Sequence, residues 1–301
     1  MKSNIHQYTI FGTEIRSDIP FPLQLPSSSQ TRYMLTLSSD VPSFFHEAIS
    51  CGFLLYRAHG RSVRLYSNRE FAGESFKDQP WCYEVEGVGS FYWKGGGGSI
   101  YYDFGESPDT HLLSFWFIHL MLPFFFALEK RYEMFHGGAV LIEGKAVMFC
   151  APSMGGKSTM TDYFIQKEHT LISDDKIPMI VENGQFMLTG SHPYHRPYRK
   201  FEDLGYRVSD FLDSYLPLHA MYILEKSEHN APITIEEVRG FGKFNAMLPH
   251  YLFSFPSQKQ YRMTCLSKLL NKIRVFRVYR PWNISRLSEV YTSIVEHSKT
   301  L

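Results

Sequence analysis

The apolar positions change their period part-way along the chain. From Gln7 to about Phe104 they come in short runs broken by Gly, Pro, Asn, Asp and Ser, which predicts strands at residues 7–11, 32–37, 53–56, 62–66, 81–85, 90–93 and 99–103. His59-Gly60 and the four glycines Gly95 to Gly98 fall at the tips of two hairpins. Asp109 or Thr110 then caps a helix running to about residue 131 through LLSFWFIHLMLPFFFALEKR, the most apolar stretch of the chain. A bilayer span needs about 20 apolar residues. His119 and Pro123 interrupt this run, so we read it as a buried helix, bent at Pro123, that connects two domains.

Beyond it, helical and strand periods alternate. Strands are expected at 134–143 and 146–150, a helix at 158–167, a strand at 170–173 and a hairpin of 176–181 with 185–188 around Asn183-Gly184. Next come a helix at 201–212, strands at 219–225 and 233–238, helices at 244–252 and 260–272, a strand at 274–279 and a helix at 285–297. The resulting division is a β-rich domain over 1–108, a connecting helix over 109–131 and an α/β domain over 132–301.

Chemistry concentrates between the second and third strands of the α/β part. Ala151-Pro152-Ser153-Met154-Gly155-Gly156-Lys157-Ser158 matches the Walker A pattern G-x-x-x-x-G-K-[ST] except for alanine at the first glycine. A glycine-bearing turn between strand and helix aims backbone N–H groups and the positive helix end at one point, where phosphate binds. Ser153, Met154, Gly155, Gly156, Lys157, Ser158 and Thr159 are therefore the candidate nucleotide-binding residues, with Lys157 on the β- and γ-phosphates and Ser158 on Mg²⁺. The following helix rises roughly 15 Å at 1.5 Å per residue. That length lets 170–173 return parallel to the strand before the loop, placing Asp174 and Asp175 beside the phosphates. The basic segment Ser191 to Lys200 reads as an irregular loop suited to a polyphosphate or an acidic peptide, or else simply solvated. Arg196 and Arg199 are its phosphate-binding candidates.

Composition narrows the partners. A net charge of +1 over 301 residues predicts no special affinity for nucleic acid or for an anionic membrane. Cys51, Cys82, Cys150 and Cys265 form no C-x-x-C pair, which speaks against a zinc site and for a reducing compartment. The opening MKSNIHQYTIFGTEIRS lacks the apolar core of a signal peptide, so a cytoplasmic location is expected.

His136-Gly137 entering the strand before the loop, Gly155-Gly156-Lys157-Ser158 in the loop, and Leu171-Ile172-Ser173-Asp174-Asp175 after it together resemble the kinase domain of the HPr kinase/phosphorylase family. The resemblance covers roughly residues 131–295, and the segment from Tyr8 to Ser17 is similar to the start of stand-alone relatives encoded near peptide-modification genes. Among relatives of this size it is nearest to the lasso-peptide precursor kinases. It implies an α/β P-loop kinase domain of the HPr kinase and PEP carboxykinase type behind a smaller β-rich domain, with ATP and Mg²⁺ as cofactors. It also implies transfer to the C-terminal serine of a precursor peptide, and a homo-oligomer. Carried over residue by residue, Asp175 is the base, Asp174 the metal partner, and His136 a group near the γ-phosphate. The adjacent acids are not separable from sequence alone. Ala151 departs from the family's loop. Where the family's E-I-R-G-x-G segment would fall, residues 196–205 keep only Glu202 and Gly205, which puts a reverse phosphorylase activity in question. A nucleotide-hydrolysing switch and an idle peptide-binding module stay open beside the kinase reading.

Overall fold

The computed structural model describes residues 4–27, 30–49, 51–69, 77–106, 108–197, 201–255 and 258–301. The chain divides into two compact units. The first comprises Met1–Arg131 with the returning segments Arg199–Leu204 and Phe255–Gln258, and the second takes the remainder.

In the first unit the short alternating runs become β1 (His6–Ile10), β2 (Thr13–Ser17), β3 (Tyr33–Ser38), α1 (Phe44–Ala48), β4 (Cys51–Ala58), β5 (Arg61–Ser67), β6 (Pro80–Val85), β7 (Gly89–Lys94) and β8 (Ser99–Phe104). They form one sheet in the order β1-β2-β3-β8-β7-β6-β5-β4, in which β3 pairs in parallel with β2 and β8. Two short elements, β2 and the one-turn α1, are not among the expected ones. The apolar helix is capped by the Asp109 side chain, which accepts from the N–H groups of His111 and Leu112. It runs as α2 (Thr110–Trp116), one π-helical turn (Phe117–Met121) and α3 (Leu122–Leu128). The irregularity thus precedes Pro123, whose missing N–H a widened turn accommodates. By length and composition Thr110–Leu128 is able to cross a bilayer, and 78% of its most apolar window is buried inside the protein.

Residues 201–212 do not form the expected helix. Glu202 instead joins the first unit's polar network: Arg61 Nε and Nη2 donate to its two oxygens at 2.6 and 2.9 Å, and the Trp116 indole donates at 2.7 Å. A buried indole N–H left without an acceptor costs about 1–3 kcal/mol. Glu202→Ala is therefore expected to lower the stability of the full chain by about 2 kcal/mol in urea unfolding. An unchanged midpoint would show that the network contributes nothing.

The second unit begins with β9 (Glu133–Ile142) and β10 (Lys145–Cys150), followed by α4 (Lys157–Gln166), β11 (Leu171–Glu182) and β12 (Gln185–Leu188). Two short strands, β13 (Tyr194–His195) and β14 (Tyr206–Arg207), pair with each other. Then come β15 (Leu216–Ser227), β16 (Thr234–Val238), α5 (Phe241–Met247), α6 (Lys259–Lys272), β17 (Arg274–Pro281) and α7 (Leu287–Lys299). The main sheet has the order β10-β9-β11-β12-β15-β17-β16, and β10 also pairs in parallel with β15. Helices cover both faces. Val147 and Phe149 of β10 pack with Met160 and Phe164 of α4 and with Val290 and Ile294 of α7. The alternate residues Met148 and Cys150 pack with Ala246 and Met247 of α5 and with Leu266 and Leu269 of α6. A strand covered on both faces reads as a continuous apolar run, as β10 does, and each large side chain so buried stabilises the fold by roughly 1.5–3 kcal/mol.

The strand after α4 returns parallel to β10, as expected, but does not pair with it: β9 lies between β10 and β11, antiparallel to both, and the strand paired in parallel with β10 is β15. Nor does β11 stop at the acids, since it continues unbroken into the hairpin with β12. The second half of the segment expected to be helical is held extended by backbone bonds from Leu171 N to Asp210 O and from Leu212 N to Leu171 O.

Candidate active site

The parallel strands β10, β15 and β17 end on the same side of the sheet, and ligands of open α/β sheets bind outside such carboxyl ends. The loop from Ala151 to Gly156 leaves β10 there. Gly155 N donates to Pro152 O at 2.8 Å, and Gly156, in the left-handed region at φ 79°, caps α4. The Ala151 departure is absorbed locally. Its methyl is buried in the core, and a Cβ on Gly155 would stand 2.8 Å from it and 2.7 Å from Pro152 O, so the loop closes over alanine only because residue 155 has no side chain. Arg280, at the end of β17, donates through Nη2 to Gly155 O and ties the loop to the sheet.

Ser153 and Thr159 are exposed, Met154 is 88% exposed at φ 58°, and Ser158 is half-buried in the first turn of α4. Lys157 runs inward and is 5% exposed. Its ammonium donates to Gly137 O at 3.3 Å and lies 3.8 Å from Asp174 Oδ1 and 3.6 Å from Asp175 Oδ1. The register of β9 with β11 sets Asp174 against Gly138, Asp175 against Gly137 and Lys176 against His136, which brings the two sequence signals into one cluster.

The two acids have different surroundings. Asp174 is buried; its Oδ2 accepts from His195 Nδ1 at 2.8 Å and from Arg196 N at 3.2 Å, while Oδ1 is buried without a hydrogen-bond donor. Burial opposes its ionisation, yet Lys157 and His195 prevail and hold its carboxyl down at about 2. Asp175 sits at φ 64°, a left-handed conformation that costs about 1–3 kcal/mol for a non-glycine residue and is characteristic of functional sites. Its Oδ2 accepts from Lys176 Nζ at 2.7 Å. Its Oδ1 and its carbonyl oxygen both lie 3.1 Å from His136 Nδ1, so that nitrogen carries the proton.

The expected residues thus divide. Lys157, Asp174, Asp175 and His136 converge, and the loop opens next to them. Arg196 reaches the cluster through its backbone N–H, with its side chain 6% exposed. Arg199 lies outside the described residues. The basic segment is not simply solvated: Ser191, His192, His195 and Arg196 are buried. His195, Lys176 and Arg280 were not singled out from sequence. His195 was hidden among other cations, Lys176 sits beside the acids with no motif of its own, and Arg280 depends on β17 lying two strands from β10.

A hollow of about 540 Å³ opens beside the loop, lined among others by His136, Ser153, Glu225, Asn245, His250 and Arg277. Burial, with His136 and Lys157 nearby, pushes His250 down to about 4. The folded protein therefore keeps it neutral while the unfolded chain takes up a proton below about 6.5, so stability falls as pH drops from 6.5 towards 4. At pH 5 this costs roughly 2 kcal/mol. His250→Gln should show a correspondingly smaller loss of melting temperature between pH 7 and pH 5. Equal losses would mean that His250 has no part in acid sensitivity.

Among the described residues no group of three or more His, Cys, Asp or Glu is arranged to hold a metal. Mg²⁺ asks for less, using one or two carboxylates with water and substrate phosphates. The undonated, ionised Asp174 Oδ1 fits that demand.

This arrangement is a glycine loop at a helix N-terminus facing a lysine and an acid pair. No protein-family model matches the sequence, and no curated protein matches it. Among solved structures, the chain is similar to the Hpr(Ser) kinase/phosphatase from Coxiella burnetii, with 15% identity and a TM-score of 0.34 over 56% of this chain and 97% of that one.

Proposed function

We propose that the protein is an ATP- and Mg²⁺-dependent kinase that transfers the γ-phosphate to a serine hydroxyl of a peptide, with the C-terminal serine of a lasso-peptide precursor as the first substrate to test. The observation that carries the reading is the meeting of Lys157, Asp174, Asp175 and His136 at the mouth of the loop from Ala151 to Gly156. Phosphoryl transfer depends mainly on positioning and on compensating negative charge. In this reading the loop and the N-terminus of α4 hold the phosphates, and Lys157 turns from the acids to the β- and γ-phosphates. Asp174 Oδ1 and the Ser158 hydroxyl would hold Mg²⁺, which would supply charge neutralisation on the phosphate oxygens. Asp174, held at about 2, is a poor base and a good metal ligand. Asp175 is left to accept the proton of the serine hydroxyl, oriented by His136. The acceptor approaches through the hollow lined by His136 and Ser153.

The test is incubation of the full chain with γ-labelled ATP, Mg²⁺ and serine-ended precursor peptides. Label on the peptide, lost when the terminal serine is replaced by alanine, is the expected result. Free phosphate without labelled peptide would indicate a hydrolase in place of a kinase, and peptide binding without turnover an idle module.

A further inference from the structure

A second hollow, of about 260 Å³, adjoins the loop on the side of β17 and is lined by Gly156, Thr159, Arg280, Trp282, Ile284 and Val290 among others. We propose that it holds the purine base of the nucleotide whose phosphates occupy the loop, a step that rests on the phosphate-binding reading above. Contiguity is the first support. A Cβ on Gly156 would stand 2.5 Å from Arg280 Nη2 and 3.4 Å from the Trp282 ring, so the residue that caps α4 is also the floor of the hollow. A nucleotide with phosphates at the helix N-terminus has its base within reach of this wall.

The second support is the wall itself. The chain has four tryptophans; Trp81, Trp93 and Trp116 are fully buried, whereas Trp282 is 47% and Ile284 73% exposed. An aromatic and a branched aliphatic side chain side by side at a hollow's edge form a flat apolar surface of the kind a base covers. Lys226 Nζ lies 3.9 Å and Arg280 Cζ 5.0 Å from the Trp282 ring centroid; Arg280 lines the hollow and Lys226 does not, and the tryptophan as a whole stays 47% exposed.

The third support is polar. Arg280 is 6% exposed and its Nε is buried without an acceptor, although its Nη2 serves Gly155 O. Asn283 Oδ1 already accepts from Ser285 N and Oγ, which leaves the amide N–H₂ to donate. Arg280 and Asn283 thus present donors to the hollow, suited to N3 and N7, the ring nitrogens that accept in both adenine and guanine.

Trp282 is the one tryptophan that is not buried, so its fluorescence reports on this hollow. The full chain is titrated with ATP, GTP, CTP and inorganic tripolyphosphate in Mg²⁺, reading tryptophan emission, its quenching by acrylamide, and affinity by calorimetry. We expect ATP and GTP to shield Trp282 from acrylamide, CTP to do so less, and tripolyphosphate to bind without doing so. Base–aromatic contacts weigh about 1–3 kcal/mol, so Trp282→Ala should weaken ATP roughly tenfold and leave tripolyphosphate unchanged, with Trp282→Phe recovering most of the loss. Equal ATP affinity in wild type and Trp282→Ala, with tripolyphosphate still bound, would overturn the base site and leave the phosphate loop standing. Binding of neither ligand would overturn the loop reading and this one with it.

Discussion

Asp175→Asn is expected to lower phosphoryl transfer to the peptide about 10³-fold, the middle of the range for loss of a general base, with nucleotide binding retained. The substitution isolates chemistry from structure. Asparagine matches aspartate in size and is among the few residues that adopt the left-handed backbone readily, so φ 64° is preserved. Its amide oxygen can still accept from Lys176 or from His136, but these face different carboxylate oxygens, so the amide N–H₂ replaces one acceptor and that contact is lost. What disappears is the negative charge and the ability to take a proton. Single-turnover labelling beside ATP titration separates the two effects. Wild-type transfer by Asp175→Asn would remove Asp175 from the base role.

Lys157→Ala should be as damaging to transfer, about 10³-fold, and should also destabilise the fold. The ammonium is buried between Gly137 O and two carboxylates, and removing one partner of a buried ion pair costs about 3 kcal/mol because the remaining charge is left uncompensated. The pH dependence identifies the cause. In the intact protein burial opposes ionisation of Asp174, but Lys157 and His195 hold its carboxyl down at about 2, below the usual carboxylate range. It therefore contributes stability that is present above about pH 4 and lost as pH falls through 2. Without Lys157 only His195 remains to oppose burial, so Asp174 rises and the stability its ionisation contributes shrinks. Chemical denaturation at pH 7 and pH 4 is the measurement. A variant as stable as wild type at pH 7 would show that the ammonium does not compensate the acid pair.

Much of the secondary structure was legible because periods of 2 and 3.6 residues are written into single segments. The runs that became β5 to β8, the strand–loop–helix of β10 and α4, and the amphipathic α6 are examples. Residues 201–212 failed for the complementary reason: their composition suits a helix, but backbone bonds to Leu171 and the Arg61 and Trp116 donors to Glu202 are made by distant parts of the chain. Pairing order was equally hidden, since nothing in β10 states that its parallel neighbour is β15.

The loop between β10 and α4 illustrates the division. The sequence by itself determined that a glycine turn, a lysine and a helix follow a buried strand, because those residue types must be contiguous for backbone N–H groups to converge. It also determined that two acids and a His-Gly pair flank that unit at short range. Only the tertiary structure decided what each acid faces. Antiparallel pairing of β9 with β11 set His136 on Asp175, the start of α4 brought Lys157 to both acids, and β13 placed His195 on Asp174. The end of β17 supplied Arg280 and Trp282 to the loop. Charge pairing and burial depend on neighbours brought together through space, and the chain carries no local record of them.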